Sequence, residues 1–368
     1  MAKLKTFLKR EPILVIAALA AVLSCIPVPP DAAYLGYIDF RTLALLYALM
    51  VVSAGLRQAG ALEAMTHLVC RRAGSARALA VTLVSVTFFS SMLITNDVAL
   101  LTFVPFTLVL LGLTGRGQDV ILVVVLQTAA ANLGSMLTPV GNPQNLYLYT
   151  HYALSAGDFF RITAPLWALS LLLCLLGCLL LPRVKLAPEL GEAPRPDRKL
   201  LWLYLGLFAL CLLSVFRLLP WGALLAVLAA ALLILDRKAL LRADFLLLLT
   251  FVAFFIFAGN LARLKAVEAL LRRLLAGREY WTALLASQVI SNVPAALLLS
   301  GFTDSARELL LGVDVGGLGT PVASLASLIS LKLYSRSREA KPGKFLLVFL
   351  LVNVLLLALL SGAKLLMK

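Results

Sequence analysis

Four short polar runs carry the side chains able to do chemistry in this chain. They are Thr95-Asn96-Asp97, Gly141-Asn142-Pro143-Gln144-Asn145, Ser291-Asn292-Val293-Pro294 and Gly316-Gly317-Leu318-Gly319-Thr320-Pro321, each set inside a long apolar stretch. Amides, hydroxyls and a carboxylate offer hard oxygen ligands and hydrogen-bond donors, which suit ion coordination better than covalent catalysis. Asp97 is the sharpest signal. A lone carboxylate at membrane depth costs about 2.5–3.5 kcal/mol on insertion scales, so it needs a partner, a cation or a proton. The alternative is a helix-capping carboxylate, a role that Asn-Asp pairs also favour. Asp314, just before the second glycine cluster, is its counterpart, or else an interfacial residue.

The run Thr138–Asn145 holds three amides, two prolines and one glycine in eight residues. Proline removes a donor and breaks helix, and glycine lets backbone approach a ligand. The reading is a substrate site made from Thr95, Asn96, Gly141, Asn142, Pro143, Asn145, Ser291, Asn292, Gly319, Thr320 and Pro321, the last three contributing mainly backbone. Ser291 and Asn292 can equally be a capping pair. The coupling ion, Na⁺ or H⁺, is assigned to Asp97, Asn96, Asn132, Asn142, Asn292 and Asp314, with Na⁺ possible at Asn96, Asp97 and Asn142. No Lys or Arg lies deep in these segments, so a small anionic substrate would be held by amides, hydroxyls and the positive ends of half-helices. No cofactor is expected. Neither a Gly-x-Ser-Gly, a Gly-x-Gly-Asp nor a His-Glu-x-x-His pattern occurs, so the chain does not read as an enzyme.

The elements that position these runs follow from composition. Of 368 residues 62% are hydrophobic, with mean hydropathy +0.99, which defines a polytopic all-α membrane protein in contact with the lipid bilayer. The net charge of +15 sits between apolar spans, where it reads as a topology signal and phospholipid contact, with no nucleic-acid partner. The five cysteines mostly lie within apolar segments, and the only histidines are His67 and His151, so neither a disulfide framework nor a zinc site is expected. The basic start Lys3–Arg10 followed by residues 12–26 mimics a signal peptide and is read as an uncleaved first helix.

Full spans are expected near 12–27, 40–58, 160–182, 200–217, 220–235, 243–260 and 344–365. The stretches 119–150 and 305–334 each read as a helix, an unwound link and a second helix. Arms 281–290 and 294–302 have about ten residues, or about 15 Å, half a bilayer. They form a re-entrant hairpin over 281–302, and 78–111 reads as another, its arms short of two full spans. The order of elements repeats: Asp39-Phe40 and Asp244-Phe245 each begin a span, followed by an amphipathic stretch, a hairpin and a broken helix. The first half carries one span fewer. Residues 1–182 are thus one inverted repeat, 183–199 a cytoplasmic linker and 200–368 the second repeat. A cytoplasmic N-terminus and external C-terminus put about twice as many Lys and Arg inside as outside. The basic segment 263–278 dissents.

These tips and links resemble those of the citrate-transporter-like members of the ion transporter superfamily, over about residues 12–365. That group includes divalent anion:sodium symporters, arsenite efflux permeases and some sodium/proton antiporters. The resemblance implies a homodimer in which a transport domain holding both hairpins and both broken helices moves as an elevator against a scaffold. It also places Thr95 and Asn96 on the first tip and Ser291 and Asn292 on the second. Asp97 replaces a Thr in the first tip and Val293-Pro294 replaces one in the second, a departure from the dicarboxylate carriers. The expected function is therefore a secondary active transporter of a di- or tricarboxylate or an inorganic oxyanion, coupled to Na⁺ or H⁺. The alternative is a Na⁺/H⁺ antiporter or arsenite-type permease. The expected location is the inner (cytoplasmic) membrane of a bacterium or archaeon.

Overall fold

A computed structural model describes residues 11–70, 73–113, 116–185, 195–337 and 340–367. These residues are helical, and the only pairing outside helices among them is an isolated bridge between Ser75 and Lys185. The first half runs α1 (Pro12–Ser24), α2 (Ala33–Tyr37), α3 (Phe40–Gln58), α4 (Ala61–Cys70), α5 (Ala76–Ile94), α6 (Asn96–Leu113), α7 (Val120–Ser135), α8 (Pro143–His151) and α9 (Ala156–Cys178). The second half runs α10 (Arg198–Val215), α11 (Trp221–Leu235), α12 (Phe245–Arg263), α13 (Lys265–Leu275), α14 (Glu279–Ile290), α15 (Asn292–Leu299), α16 (Ala306–Gly316), α17 (Leu325–Ser335) and α18 (Pro342–Leu366). Residues 1–10 and 186–194, which include the basic start and the middle of the linker, lie outside the described residues.

The order of elements from α3 to α9 recurs from α12 to α18. It recurs in detail at the caps, where Asp39 accepts from Thr42 N at 2.9 Å and Asp244 accepts from Leu247 N at 3.0 Å. Among the described residues seven helices are long and apolar enough to cross a membrane, and the chain is an integral membrane protein.

Four helices differ from expectation. Helices α1 and α11, expected as full spans, have 13 and 15 residues, about 20 and 22 Å. Conversely α5 has 19 residues, enough to cross alone, because Ser75 caps it through Ala78 N and its apolar, β-branched run continues to Ile94. The span expected at 160–182 begins four residues earlier, where Ser155 caps α9 by accepting from Asp158 N at 3.0 Å. The second hairpin has short arms, 12 residues in α14 and 8 in α15.

Contacts sort the turns into two ends, with α9 running between them. At one end Ala76 N donates to Val184 O, Arg77 Nε to Leu181 O, and Asp197 N to Ala59 O. At the other, Tyr152 Oη donates to Thr303 O, Arg217 to Ala153 O, and Arg263 pairs with Asp31 at 2.7 Å. The first hairpin begins at the former end, and the second returns to the latter.

The buried apolar side chains form two clusters. One surrounds α3, α10, α11 and α12; the other surrounds α5, α7, α9 and α18. Helix α6 straddles them, with Ala99 and Phe103 in the first and Leu100 and Val104 in the second. Close crossings fix both groups. A Cβ at Gly55 would meet the Tyr204 ring at 2.1 Å, and one at Gly134 would meet Phe88 O at 2.2 Å, so the Tyr204 ring of α10 lies against the α3 backbone and α7 packs on α5 at backbone distance.

Candidate functional site

Both hairpin tips hold a non-glycine residue in backbone space that is almost reserved for glycine. Thr95 has φ 68° and ψ 149°, and Ser291 has φ 72° and ψ 154°. The next residue is Asn in each case, and its carbonyl oxygen folds back onto the following amide. Asn96 Oδ1 accepts from Asp97 N at 2.9 Å and Asn292 Oδ1 from Val293 N at 3.0 Å. Each tip docks on the unwound link of its own half. Asn96 N donates to Gly141 O at 3.1 Å, and Ser291 Oγ donates to Ala323 O at 3.4 Å.

The links satisfy the backbone groups freed where helices break. In the first, Asn142 caps α8 by accepting from Asn145 N at 2.9 Å and donates from Nδ2 to Ser135 Oγ at 3.1 Å. Asn145 Nδ2 sits among the carbonyls of Ser135, Met136 and Thr138 at 3.3–3.4 Å, stitching the C-terminus of α7. A Cβ at Gly141 would stand 2.1 Å from Ser135 O, so only glycine fits this fold-back. Pro143 occupies the first turn of α8, where its missing N–H costs nothing.

In the second link Gln288 does the stitching. Its Nε2 donates to Gly316 O at 2.8 Å and its Oε1 accepts from Thr320 N at 2.9 Å, while Thr320 Oγ1 donates to Gln288 O at 3.1 Å. Gly319 takes φ 96°, Pro321 opens a short 3₁₀ turn, and Ser324 caps α17.

Asn132 and Asp314 cross between the halves beside the two links. Asn132 Oδ1 accepts from Asn96 Nδ2 at 3.1 Å and from Ser324 Oγ at 2.9 Å, and its Nδ2 faces Gly317 O at 3.4 Å. Its oxygen is therefore fully engaged, and Asn132 joins the first tip to the second link rather than presenting a free ligand atom. Asp314 reaches the other way, with Gln144 Nε2 3.5 Å from its Oδ1 and the amides of Asn142 and Asn145 beside it.

A cavity of about 590 Å³ opens beside the first tip. Thr95, Asp97, Asn142 and Pro143 line it from the hairpin and the link; Arg57, Glu63, Arg242 and Asp244 line it from α3, α4 and the start of α12. Asp97 Oδ1 is buried there without a hydrogen-bond partner. Asn96, Asn145, Ser291, Asn292 and Asp314 are buried behind this surface. Of the proposed Na⁺ ligands, Asn96 and Asn142 each already spend a lone pair on a backbone N–H, which leaves Asp97 as the freest oxygen donor.

Arg242 is braced from outside the membrane-spanning helices by Asp236 at 2.9 Å. Burial opposes ionisation of Asp236, yet hydrogen bonds from Tyr204 and Arg242 hold its carboxyl below the usual carboxylate range. Sequence reading missed Gln288, Ser135, Ser324, Arg57 and Arg242, and it named Gln144 in the first link without assigning it a role. Gln288 carried a signal: it lies one turn before the tip, in an otherwise apolar stretch of α14.

The profile of a family described as citrate transporter matches residues 6–309. This chain belongs to the citrate transporter family. Two curated relatives carry the likeness along most of their length. The inner membrane protein YbiR of Escherichia coli K12 is 34% identical over 307 residues, covering 82% of each chain. The transporter MJ0456 of Methanocaldococcus jannaschii is 30% identical over 330 residues, covering 89% of this chain and 90% of that one. Among solved structures, the YdaH transporter of Alcanivorax borkumensis, described as having an unusual topology, matches with a TM-score of 0.55 over 95% of both chains at 16% identity. That likeness establishes the fold. A transporter of the citrate transporter family, working on a small substrate within a bilayer, is what these residues build.

Proposed function

We propose that this member of the citrate transporter family is a secondary active transporter of a small anion, coupled to Na⁺ or H⁺. The observation that carries the reading is the wall of the cavity to which the first turns of two helices, α6 through Asp97 and the half-helix α8 through Pro143, both contribute. Helix N-termini present N–H groups and a positive dipole end, which favour an anion. Asp97 beside them offers a carboxylate to a cation or proton, so anion and coupling ion would share one wall. Broken helices meeting at a cavity are the common design of secondary transporters. Two hairpin flanks at opposite ends of α9, and matched caps in both halves, support the reading of inverted repeats. The proposed transport body holds both hairpins and moves as an elevator against a scaffold of α1, α3 and α10–α12; its moving surface would run through the first apolar cluster, which holds α15 as well as α3 and α10–α12. A homodimer and an inner-membrane location with cytoplasmic N-terminus complete the proposal. The inner-membrane name of the E. coli relative supports the location.

A second reading, cation exchange with H⁺, is favoured by the charge count of the cavity. Glu63, Asp97 and Asp244 face Arg57 and Arg242, and Arg242 is already paired with Asp236.

The test is thermal stability of purified protein against small carboxylates and oxyanions, crossed with Na⁺, K⁺ and pH, followed by uptake into proteoliposomes. A ligand that binds only the folded state raises the melting temperature by mass action. Stabilisation by one anion class, increased by Na⁺ or acid and abolished in Asp97→Asn, is the expected result. Stabilisation by Na⁺ or pH with every anion silent moves the assignment to cation exchange.

A further inference from the structure

A second cavity, of about 730 Å³, lies between the C-terminal part of α6 and the end of α17, with Gly117 and Val120 bordering it. Its α6 wall is Pro105, Leu108, Val109 and Gly112, which at i, i+3, i+4 and i+7 share one helix face. Its α17 wall includes Leu333, Arg336 and Ser337, again one face at i, i+3 and i+4. From Gly112 back to Pro105 the apolar wall runs seven residues, about 10 Å, into the membrane-spanning part of α6. Val109 is 62% exposed and Gly112 is exposed, so this depth opens sideways toward hydrocarbon.

The mouth is basic. Arg336 is exposed at the C-cap of α17, and Lys341 is exposed beside it, its N–H donating to Tyr334 Oη at 3.0 Å. Neither side chain enters an ion pair among the described residues. The acid on the bordering turn, Asp119, is already taken by Arg116. A cation at a helix C-terminus is favourable without any ligand, so Arg336 alone would mean little. What sets it apart is the apolar cavity that continues from it. Helices α5 and α6 are hairpin arms of 19 and 18 residues, so this mouth stands near the level where Ser75 begins α5. The proposed topology puts that end in the cytoplasm.

We propose that this cavity binds one net-anionic phospholipid of the phosphatidylglycerol type. Its phosphate would meet Arg336 and Ser337, and one acyl chain would lie along the Pro105–Gly112 face of α6. A guanidinium offers a phosphate two parallel N–H donors, and the Ser337 hydroxyl adds a third. Unpaired positive charge at a membrane surface selects a net-anionic head group over a zwitterionic one. The volume falls in the range of sites that hold small ligands. A second copy of this chain is a poorer occupant, because its surface would bury Arg336 and Lys341 without partners. A soluble anion would leave the apolar wall unfilled. The lipid would bridge the first hairpin and the second broken helix where no side chain fills the gap.

The inference goes beyond the transport reading, and its test needs neither substrate nor coupling ion. The experiment is native mass spectrometry of the purified, delipidated full chain, titrated with phosphatidylglycerol or with phosphatidylcholine of the same acyl chains. Wild type should hold one phosphatidylglycerol per chain, more tightly than phosphatidylcholine. Arg336→Gln should weaken phosphatidylglycerol about fivefold, the effect of one positive charge near a membrane surface. Gly112→Phe should weaken both lipids, because a Cβ at 112 meets nothing within 4 Å and the ring can take the acyl path. Arg273→Gln, on an exposed arginine of α13, should match wild type. Equal affinity of wild type for the two lipids overturns the proposal, as does an Arg336→Gln that binds phosphatidylglycerol no more weakly than Arg273→Gln. Displacement of the lipid by inorganic phosphate would make this a soluble-anion site, and a dimer split by Gly112→Phe would make the occupant a second copy; either result overturns it. Arg336→Gln changes an exposed side chain, so the head-group arm stands whatever a Phe at 112 does to folding.

Discussion

Thr95→Gly should make the protein more stable and less able to respond to its ligand. Thr95 sits at φ 68° and ψ 149°, a region where a non-glycine residue carries about 1–3 kcal/mol of strain. Glycine adopts it freely but raises the entropy of the unfolded chain, at a cost of about 0.4–1 kcal/mol. Little packing is lost, because the side chain is half-exposed to the cavity. The difference leaves a gain of about 0–2.5 kcal/mol, which at roughly 2 °C per kcal/mol raises the melting temperature by about 0–5 °C. Thr95→Ala is the control, since it loses the hydroxyl and keeps a Cβ at positive φ; it should show no gain. The assay is thermal unfolding of both variants in detergent, with and without whichever anion or cation stabilises wild type. In Thr95→Gly the stabilisation by ligand should shrink, because a glycine tip no longer holds Asn96 and Asp97 in one conformation. A melting temperature for Thr95→Gly as low as that of Thr95→Ala would refute the strain argument. Full ligand response in Thr95→Gly would refute the idea that a strained tip is kept for binding.

Three further outcomes follow from the same contacts. Gly134→Ala puts a Cβ 2.2 Å from Phe88 O and 2.6 Å from Ser91 Oγ, so α5 and α7 must separate; overpacking of about 1–3 kcal/mol should lower the melting temperature and folded yield. Gln288→Leu leaves Thr320 N–H and Gly316 C=O unpaired, a loss of at least about 2 kcal/mol at about 1–3 per group, and a cysteine placed at Thr320 should then react faster with a soluble thiol reagent. Asp236 has its carboxyl held below the ordinary range, so its stabilising effect is complete above about pH 4 and is lost only as pH falls through its folded value. Asp236→Asn should therefore flatten the acid limb of a stability–pH profile while lowering stability at neutral pH.

Much of the fold was legible because its signals are local. Proline and glycine in Thr138–Asn145 must break a helix wherever they lie, and an apolar arm of ten residues cannot cross a bilayer. Arm length was misjudged at α5: the tip was expected at Thr95-Asn96-Asp97 with arms short of full spans, and the arm before it has 19 residues because Ser75 caps it before residue 78. The hydrogen bonding of Asn132 was not legible because its second acceptor contact comes from Ser324, 192 residues later.

The sequence by itself determined that the chain is a polytopic helical membrane protein with two polar tips and two broken helices. Those properties come from hydropathy, helix periodicity and backbone chemistry, which act over a few residues. Only the tertiary structure decided which polar atoms remain free. Gln288 closes the second link, Asn132 is consumed in joining the halves, and Asp97 and Asp314 keep an oxygen each without a partner. A buried hydrogen bond must be completed by whatever lies opposite, and here the opposite atom belongs to a strand of chain up to 192 residues away.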